Sequence, residues 1–411
     1  MAIVKPFQCV RPKCEEAELV AALPYDVYNR KEAYEVTASN SKSFLNIDRP
    51  ETQFPEEVDI YDDRVYEKAA ELLKDFMKDG ILNLDSEASY YVYELIMDGR
   101  SQTGIVACSS IDDYTNGVIK KHENTREEKE LDRIRHVDTT DAQTGPIFLA
   151  YRSDEEMNRL VETIKKKEPV YDFISDDGIS HKVWKAGDLE TVKKIETNFL
   201  KIPATYIADG HHRAASAVKV GLKRRKETPG YTGEEEFNYF LSVLFPDEQL
   251  MILPYNRVVK DLNGLTEEEF LSKLEKDFVI SSVGKEAFSP FKKGTFGMYL
   301  KETWYCLKAK DALNGNDPVK DLDVSVLQDN LLGPILGIGD PRTDKRIDFI
   351  GGIRGLKELE RRCEEDMEVA FSMYPTSIEE LFSVADAGLL MPPKSTWFEP
   401  KLRSGLFIHM L

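Results

Sequence analysis

The spacing of apolar positions predicts helices and strands that alternate without a fixed order. Residues 61–79 repeat apolar positions every three or four residues and stop before Gly80, which predicts an amphipathic helix. Residues 90–97 and 103–108 are strand-like, and the Asp-Gly-Arg-Ser segment between them predicts a hairpin. Because no strict strand–helix–strand rhythm follows, we expect a mixed α/β (α+β) fold.

The same patterns predict elements along the rest of the chain. Helices are expected at residues 154–167, 188–200, 213–226, 265–276, 322–336 and 356–368. Strands are expected at residues 170–183 (as a hairpin), 205–208, 240–245, 253–259, 278–283, 297–308 (as a pair) and 348–350. A last helix opens with a capping box, at Thr376 and Glu379 or at Ser377 and Glu380, and ends at Gly388.

Composition and charge narrow the class of partner. The 411 residues are 41% hydrophobic and 31% charged, as in ordinary globular proteins, and the formal net charge is −19 at pH 7. A nucleic-acid-binding face needs a basic surface, so we expect no nucleic-acid partner, whereas a small anion site remains compatible. We expect a cytoplasmic protein with a small-molecule substrate and no membrane span. The sequence is also compatible with a homo-oligomer.

Residues 209–213, Asp-Gly-His-His-Arg, join a predicted strand to a predicted helix. Gly210 can adopt the positive φ of a sharp turn, so that the amides of His211, His212 and Arg213 open the helix. A helix start with an arginine and two imidazoles favours phosphate, and Asp209 is placed to bind Mg²⁺ or a hydroxyl proton. In the alternative interpretation Asp209 only caps the helix and the histidines pack or face solvent.

Chelation of a metal by His211 and His212 is a weaker hypothesis. Adjacent residues on a helix do not share a face, and no His-x-x-x-His spacing occurs in the sequence. The candidate metal ligand is therefore Asp209.

A second candidate is the pair His122 and Glu123, within the strongly charged residues 119–135. A His-Glu pair at the end of a strand-like run could supply a general base, and Glu123 is the candidate. The alternative is a solvated charged segment without a catalytic role. Composition alone does not decide between the two interpretations.

Further candidate contacts to substrate or phosphate lie in the second half of the chain. Arg257 interrupts an apolar strand, and a proline-rich segment presents Lys394, Ser395, Thr396 and Lys401. The spacing near Lys394 approaches that of a P-loop, but a proline stands where the second glycine is needed, so we predict no P-loop.

A series of motifs, in order along nearly the whole chain, resembles the prokaryotic family defined by domain of unknown function number 1015. The motifs include LPYDVYN, NSKSFLNIDRPE, KKHENT, TGPIFLAY, YIADGHHRAASA, LDVSVLQDNLLG and MPPKSTWFEPKLRSG. The resemblance implies one family-wide unit over residues 1–411. Within it, residues 85–260 would form a catalytic core with the Asp-Gly-His-His-Arg loop, and residues 261–411 would form an α/β portion that completes the site.

The loop also resembles, more distantly, that of archaeal free-serine kinases of the ParB and sulfiredoxin-like superfamily. This resemblance implies a ParB/sulfiredoxin-like nucleotide-binding core with extensive additional elements. It implies phosphate binding by Gly210, His211, His212 and Arg213, catalytic roles for Asp209, His211 and Glu123, and a contact from His122. The implied cofactors are Mg²⁺ and ATP or ADP.

The resulting hypothesis is a nucleotide-dependent phosphotransferase that acts on a small hydroxyl compound, with free serine as the leading acceptor. One alternative is a phosphatase for a phosphomonoester such as phosphoserine. The other is a non-catalytic regulatory protein that binds nucleotide.

Overall fold

A computed structural model describes residues 1–310, 315 and 317–411, and the chain forms two compact units. Unit 1 comprises Met1–Leu250 and Pro400–Leu411, and unit 2 comprises Met251–Glu399. Both units combine helices with β-sheets, which confirms the mixed α/β prediction. None of the helices in the described part of the chain has the length and apolar character that a membrane-spanning segment needs.

The helices largely follow the apolar periodicity of the sequence. They are α1 (Ala17–Val20), α2 (Arg30–Ser39), α3 (Leu45–Asp48), α4 (Asp63–Lys78), α5 (Ile111–Thr115), α6 (Glu127–Thr140), α7 (Glu155–Ile164), α8 (Leu189–Phe199), α9 (His211–Glu227), α10 (Glu267–Leu274), α11 (Asp323–Leu327), α12 (Leu356–Glu365) and α13 (Ile378–Asp386). The helix predicted at residues 61–79 is α4, and Ser377 and Glu380 form the capping box of α13. The helix predicted over residues 322–336 is α11 followed directly by a π-helical segment, Gln328–Leu332, and helical structure stops before the Gly-Pro pair at 333–334.

The strands are short and belong to four sheets. They are β1 (Val4–Lys5), β2 (Cys9–Pro12), β3 (Leu82–Leu84), β4 (Tyr90–Met97), β5 (Arg100–Ser110), β6 (Ile119–Lys120), β7 (Ala142–Gln143), β8 (Ile147–Tyr151), β9 (Tyr171–Ile174), β10 (Ser180–Ala186), β11 (Thr205–Asp209), β12 (Tyr239–Pro246), β13 (Met251–Leu253), β14 (Tyr255–Val259), β15 (Phe278–Gly284), β16 (Thr295–Leu300), β17 (Thr303–Ala309), β18 (Ile347–Gly351), β19 (Val369–Ser372), β20 (Trp397–Glu399) and β21 (Ile408–Met410).

Unit 1 is built on a nine-stranded sheet with the order β6-β11-β8-β12-β5-β4-β10-β9 and with β1 on β5. The predicted hairpin joins β4 to β5, and its turn residues Asp98 and Gly99 have φ of 51° and 77°. Two successive positive φ values are those of a type I′ turn, whose twist matches that of the strands. Apolar side chains of the sheet pack against α7, α8 and α9, where Met157, Ile195 and Ala214 are fully buried.

The C-terminal residues belong to unit 1 because β21 is an inner strand of a second sheet, with the order β3-β2-β21-β7. Just before β21, Gly405 has a φ of 85°, and a Cβ atom there would lie 2.5 Å from Cβ of the buried Phe44. This position therefore requires glycine for its backbone conformation and for its close approach to a neighbour.

Unit 2 is built on a six-stranded sheet with the order β15-β17-β16-β19-β14-β18, and a separate pair joins β13 to β20. The strand pair predicted at residues 297–308 is the β16–β17 hairpin. Helix α12 covers this sheet with Leu359, which packs in one cluster with Trp304 and Ala370. The Trp304 indole N–H donates to the Glu360 carboxylate at 2.8 Å, so its polar atom is satisfied in the core.

We predict that Gly405→Ala destabilises unit 1 more than the matched control Gly178→Ala. Both glycines have positive φ, but a Cβ atom at Gly178 would meet no atom within 4 Å. The control should lose about 1 kcal/mol from strained φ, and Gly405→Ala should lose roughly 2 kcal/mol more from overpacking against Phe44. Urea unfolding followed by circular dichroism measures both, and equal losses would contradict the assigned contact.

Candidate functional site

Two segments far apart in sequence meet in unit 1 because β6 and β11 are adjacent and parallel. Thr205 pairs with Ile119, and Tyr206 pairs with Lys120. Parallel strands end at the same edge of a sheet, so the residues after β6 lie beside those after β11. This pairing brings His122 and Glu123 to the loop at Asp209.

The turn after β11 has the geometry that its sequence predicts. Gly210 is left-handed, with φ 94° and ψ 30°, and α9 begins at the next residue. The N-cap residue is Gly210, which has no side chain, and the first turn of α9 carries no acidic residue. The start of a helix carries the positive end of its dipole, which favours a nearby anion.

The two histidines of the loop hold the segment that follows β6. The backbone N–H of His122 donates to Nε2 of His211 at 3.5 Å, and the backbone N–H of Arg126 donates to Nε2 of His212 at 3.0 Å. The rings of His122 and His211 meet edge to face, with centroids 4.5 Å apart. Because Nε2 accepts in both loop histidines, the network assigns the proton of each neutral ring to Nδ1.

Burial keeps two of these imidazoles neutral near pH 7. Desolvation lowers the pKa of His122 to about 4, although the charge of Asp209 opposes the shift. Desolvation, with the neighbouring His122 as a smaller cause, also lowers the pKa of His211 well below its ordinary value. These rings therefore contribute hydrogen bonds and shape to the site and no positive charge.

Glu123 carries an accessible carboxylate, as Asp209 does, and their side chains are 39% and 34% exposed. Oε2 of Glu123 lies 4.0 Å from Nδ1 of His211. A half-exposed carboxylate can meet a substrate from solvent, and the proton on Nδ1 of His211 faces it. His211 is thus placed to orient the carboxylate.

Asp209 and Arg213 form the charged end of the loop. Nη2 of Arg213 lies 3.2 Å from Oδ2 of Asp209, and Nη1 of Arg213 donates to the carbonyl of Pro146 at 2.5 Å. Nζ of Lys401 lies 3.8 Å from the same oxygen of Asp209. Two cations therefore compete with any metal ion for this carboxylate oxygen.

The structure groups different potential metal ligands from those that the sequence suggested. Ligand atoms of His122, Glu123 and His211 lie within 4.8 Å of one another. Nδ1 of His122 is buried and has no hydrogen-bond partner among the described residues. Two neutral imidazoles and a carboxylate suit zinc or another transition metal better than Mg²⁺, which prefers oxygen ligands. A metal ion bound by His211 would displace the proton from its Nδ1, because its Nε2 already accepts a backbone N–H.

The candidates of the second half other than Lys401 lie in unit 2, where Arg257 braces a turn. The buried guanidinium of Arg257 donates to the carbonyls of Tyr255 and Lys394, the latter at 3.1 Å. Lys394 has a φ of 57°, and its Nζ lies 5.4 Å from the Tyr255 ring centroid. The hydroxyl of Ser395 donates to a carbonyl three residues earlier at 2.6 Å, and Thr396 is the next residue. A structural role therefore accounts for the contacts of Arg257 and Ser395.

Sequence analysis missed a recess beside the loop, in which a few charged groups lie among mostly apolar surface. Arg213 lines it together with Tyr25, Asp48, Arg133 and Thr144, and it holds about 470 Å³ of empty space, counted with the part open to solvent. These residues lie in or near the quoted family motifs, which was the available signal. No local pattern, however, showed that the motifs meet.

We predict that metal-free protein gains stability as pH rises from about 4 to 6.5. His122 has a folded pKa of about 4, so the unfolded chain takes up a proton in this range that the folded chain does not. The stabilisation is fully present above pH 6.5 and is lost as pH falls to 4, with about 3 kcal/mol from this residue. Histidine ring NMR, assigned with His122→Gln, measures the pKa, and titration of His122 near 6.5 would contradict the assignment.

Comparison with known proteins identifies a family. The family model described as "Protein of unknown function (DUF1015)" matches residues 4–325. No curated protein matches the chain. The family description supplies no reaction, so the function has to be argued from the site.

Several solved structures are similar at low identity. A free serine kinase variant in complex with ADP is 13% identical, with a TM-score of 0.36, over 74% of this chain and 92% of that one. SbnI with a C-terminal truncation, from Staphylococcus aureus, is 12% identical, with a TM-score of 0.39, over 74% of this chain and 87% of that one. A conserved hypothetical protein from Pyrococcus furiosus is 15% identical, with a TM-score of 0.35, over 74% of this chain and 94% of that one.

Proposed function

We propose that this chain, which belongs to the DUF1015 family, is a nucleotide-dependent phosphotransferase that acts on a small hydroxyl compound. The observation that carries the proposal is the meeting of the start of α9, which follows the left-handed Gly210, with the carboxylate of Glu123 through parallel pairing of β6 and β11. Phosphoryl transfer depends mainly on positioning and on stabilising negative charge, and these groups serve both needs.

The start of α9 would bind the transferred phosphate. Gly210 allows the sharp turn, and the amides of His211, His212 and Arg213 lie at the positive end of the helix dipole. The Arg213 guanidinium lies at the same end and adds positive charge. The imidazole rings fix the neighbouring segment through their Nε2 atoms, so phosphate binding would use the loop amides.

Glu123 would act as the general base. Its carboxylate takes the proton of the acceptor hydroxyl, and the acceptor oxygen forms a bond to the terminal phosphorus. The bond between that phosphorus and the bridging oxygen breaks, and the nucleotide leaves with its electron pair. His211, with a proton on Nδ1 facing Glu123 at 4.0 Å, would hold the carboxylate in place, and His122 would support His211.

The donor would be ATP or ADP, and Mg²⁺ would arrive on the nucleotide phosphates, where it neutralises charge. Asp209 is the carboxylate that would hold it or orient the acceptor, in competition with Arg213 and Lys401. The motif resemblance favours a ParB/sulfiredoxin-like core within residues 85–260, a contribution from residues 261–411 and free serine as the leading acceptor.

We predict that the purified chain transfers phosphate from ATP or ADP to a hydroxyl compound in the presence of Mg²⁺. Mass spectrometry of a panel that includes L-serine identifies the product. Glu123→Gln should lower kcat about 100-fold to 10,000-fold, the usual contribution of a general base. The affinity of Glu123→Gln for nucleotide should stay within about threefold of the wild-type affinity, since the loop amides would hold the phosphate.

The matched control is Glu127→Gln, which removes an exposed carboxylate at the start of α6 and should leave the rate unchanged. Full activity of Glu123→Gln would contradict the assigned base. The absence of a phosphorylated product with every donor and acceptor would contradict the function. Phosphate release from phosphoserine without nucleotide would instead favour a phosphatase.

A further inference from the structure

The recess beside the loop contains a buried carboxylate with unused hydrogen-bonding capacity. Asp48 lines the recess and is only 3% exposed. Its Oδ1 accepts a hydrogen bond from the Thr144 hydroxyl at 2.7 Å, and among the described residues no ion pair reaches this carboxylate. A buried charge is costly unless it is paired, so Asp48 is suited to a cationic ligand group.

The same recess contains a buried guanidinium. Arg133 is 8% exposed, and its Nε and Nη2 each lie 3.0 Å from Oδ2 of Asp132. Its Cζ lies 4.0 Å from the centroid of the Tyr25 ring, which fixes the plane of the group. Within the described residues Nη1 of Arg133 donates to no partner. This end of Arg133 is suited to an anionic ligand group such as a carboxylate.

The two charges interact through space without direct contact. The charge of Asp48 is one of the causes that raise the pKa of Arg133, after burial, which lowers it, and after Asp132 and Tyr25. No ion pair within 4.0 Å joins Asp48 to Arg133 among the described residues, although both line one recess. Further ionisable groups line the recess. The guanidinium of Arg213 pairs with Asp209, and the Nε2 of His136 is 3.0 Å from the carbonyl of Ile47, with a pKa that burial lowers. A dianion such as phosphate would meet the Asp48 carboxylate, and a simple amine would meet the Arg133 guanidinium. A molecule with both charges matches both groups.

We propose that this recess binds a small zwitterion with the chemistry of a free α-amino acid. Asp48 and the Thr144 hydroxyl bind the ammonium group, and Nη1 of Arg133 binds the carboxylate. Arg213 lines the recess and contacts Asp209, so the recess and the phosphate loop share one side chain. That the zwitterion is the phosphoryl acceptor rests on the proposed function, whereas its binding does not.

The test is calorimetry on the full chain without nucleotide, with three matched probes. L-serine carries both charges, ethanolamine lacks the carboxylate, and 3-hydroxypropionate lacks the ammonium group. We expect L-serine to bind at least about 10-fold more tightly than either, because each analogue leaves one buried charge without a partner. Equal binding of the three probes, no binding of L-serine, or tighter binding of inorganic phosphate overturns the proposal.

Two variants separate recognition from folding. Asp48→Asn should reduce the preference for L-serine over 3-hydroxypropionate, and Arg133→Gln should reduce the preference for L-serine over ethanolamine, each about 10-fold. A loosened fold would weaken the binding of all three probes together. It would not reduce one preference in Asp48→Asn and the other preference in Arg133→Gln. Equal preferences in the variants and the wild type overturn the assigned roles.

Control variants remove a buried carboxylate and a partly buried guanidinium outside the recess. Asp113 is a buried carboxylate that accepts from the Ile3 N–H, and Arg225 is a guanidinium paired with Asp112. Asp113→Asn and Arg225→Gln should keep the wild-type preferences. L-serine binding without any phosphoryl transfer would support the zwitterion site and contradict the proposed function. Phosphoryl transfer to uncharged acceptors without zwitterion binding would support the proposed function and contradict the zwitterion site.

Discussion

Parallel pairing between β6 and β11 is the constraint on which the candidate site depends. Only two residue pairs define it, Thr205 with Ile119 and Tyr206 with Lys120, yet it sets the direction in which both strands end. An antiparallel pairing would send the segments after the strands to opposite edges of the sheet. Because the pairing is parallel, Glu123 meets the loop that opens α9, and the helix start that we propose to bind phosphate lies beside a carboxylate.

The histidines of the loop illustrate how burial changes the role of a residue. Two adjacent imidazoles suggest positive charge for phosphate, but desolvation keeps His211 neutral and its Nε2 accepts a backbone N–H. His212 likewise accepts the N–H of Arg126. The positive character of the site comes from the amides at the start of α9 and from Arg213, whose charge is independent of pH in the physiological range.

Arg213 connects the two parts of unit 1 that carry chemistry. Glycines lie on both sides of it, since a Cβ atom at Gly210 would lie 3.1 Å and one at Gly145 would lie 3.5 Å from its guanidinium nitrogens. Its hydrogen bonds to Asp209 and to Pro146 fix the group between the phosphate loop and the recess. A single side chain held in this way can couple the position of an acceptor to that of a phosphate.

The sequence by itself determined the features that depend on neighbouring residues. The Asp98–Gly99 turn, the capping of α4 and α13, and the turn at Gly210 follow from local φ, ψ preferences and short-range hydrogen bonds. Only the tertiary structure decided that Glu123 lies beside His211 and that Asp48 and Arg133 line one recess. Those contacts join segments far apart in sequence, and they depend on which strands pair and which helix faces pack, which no local pattern encodes.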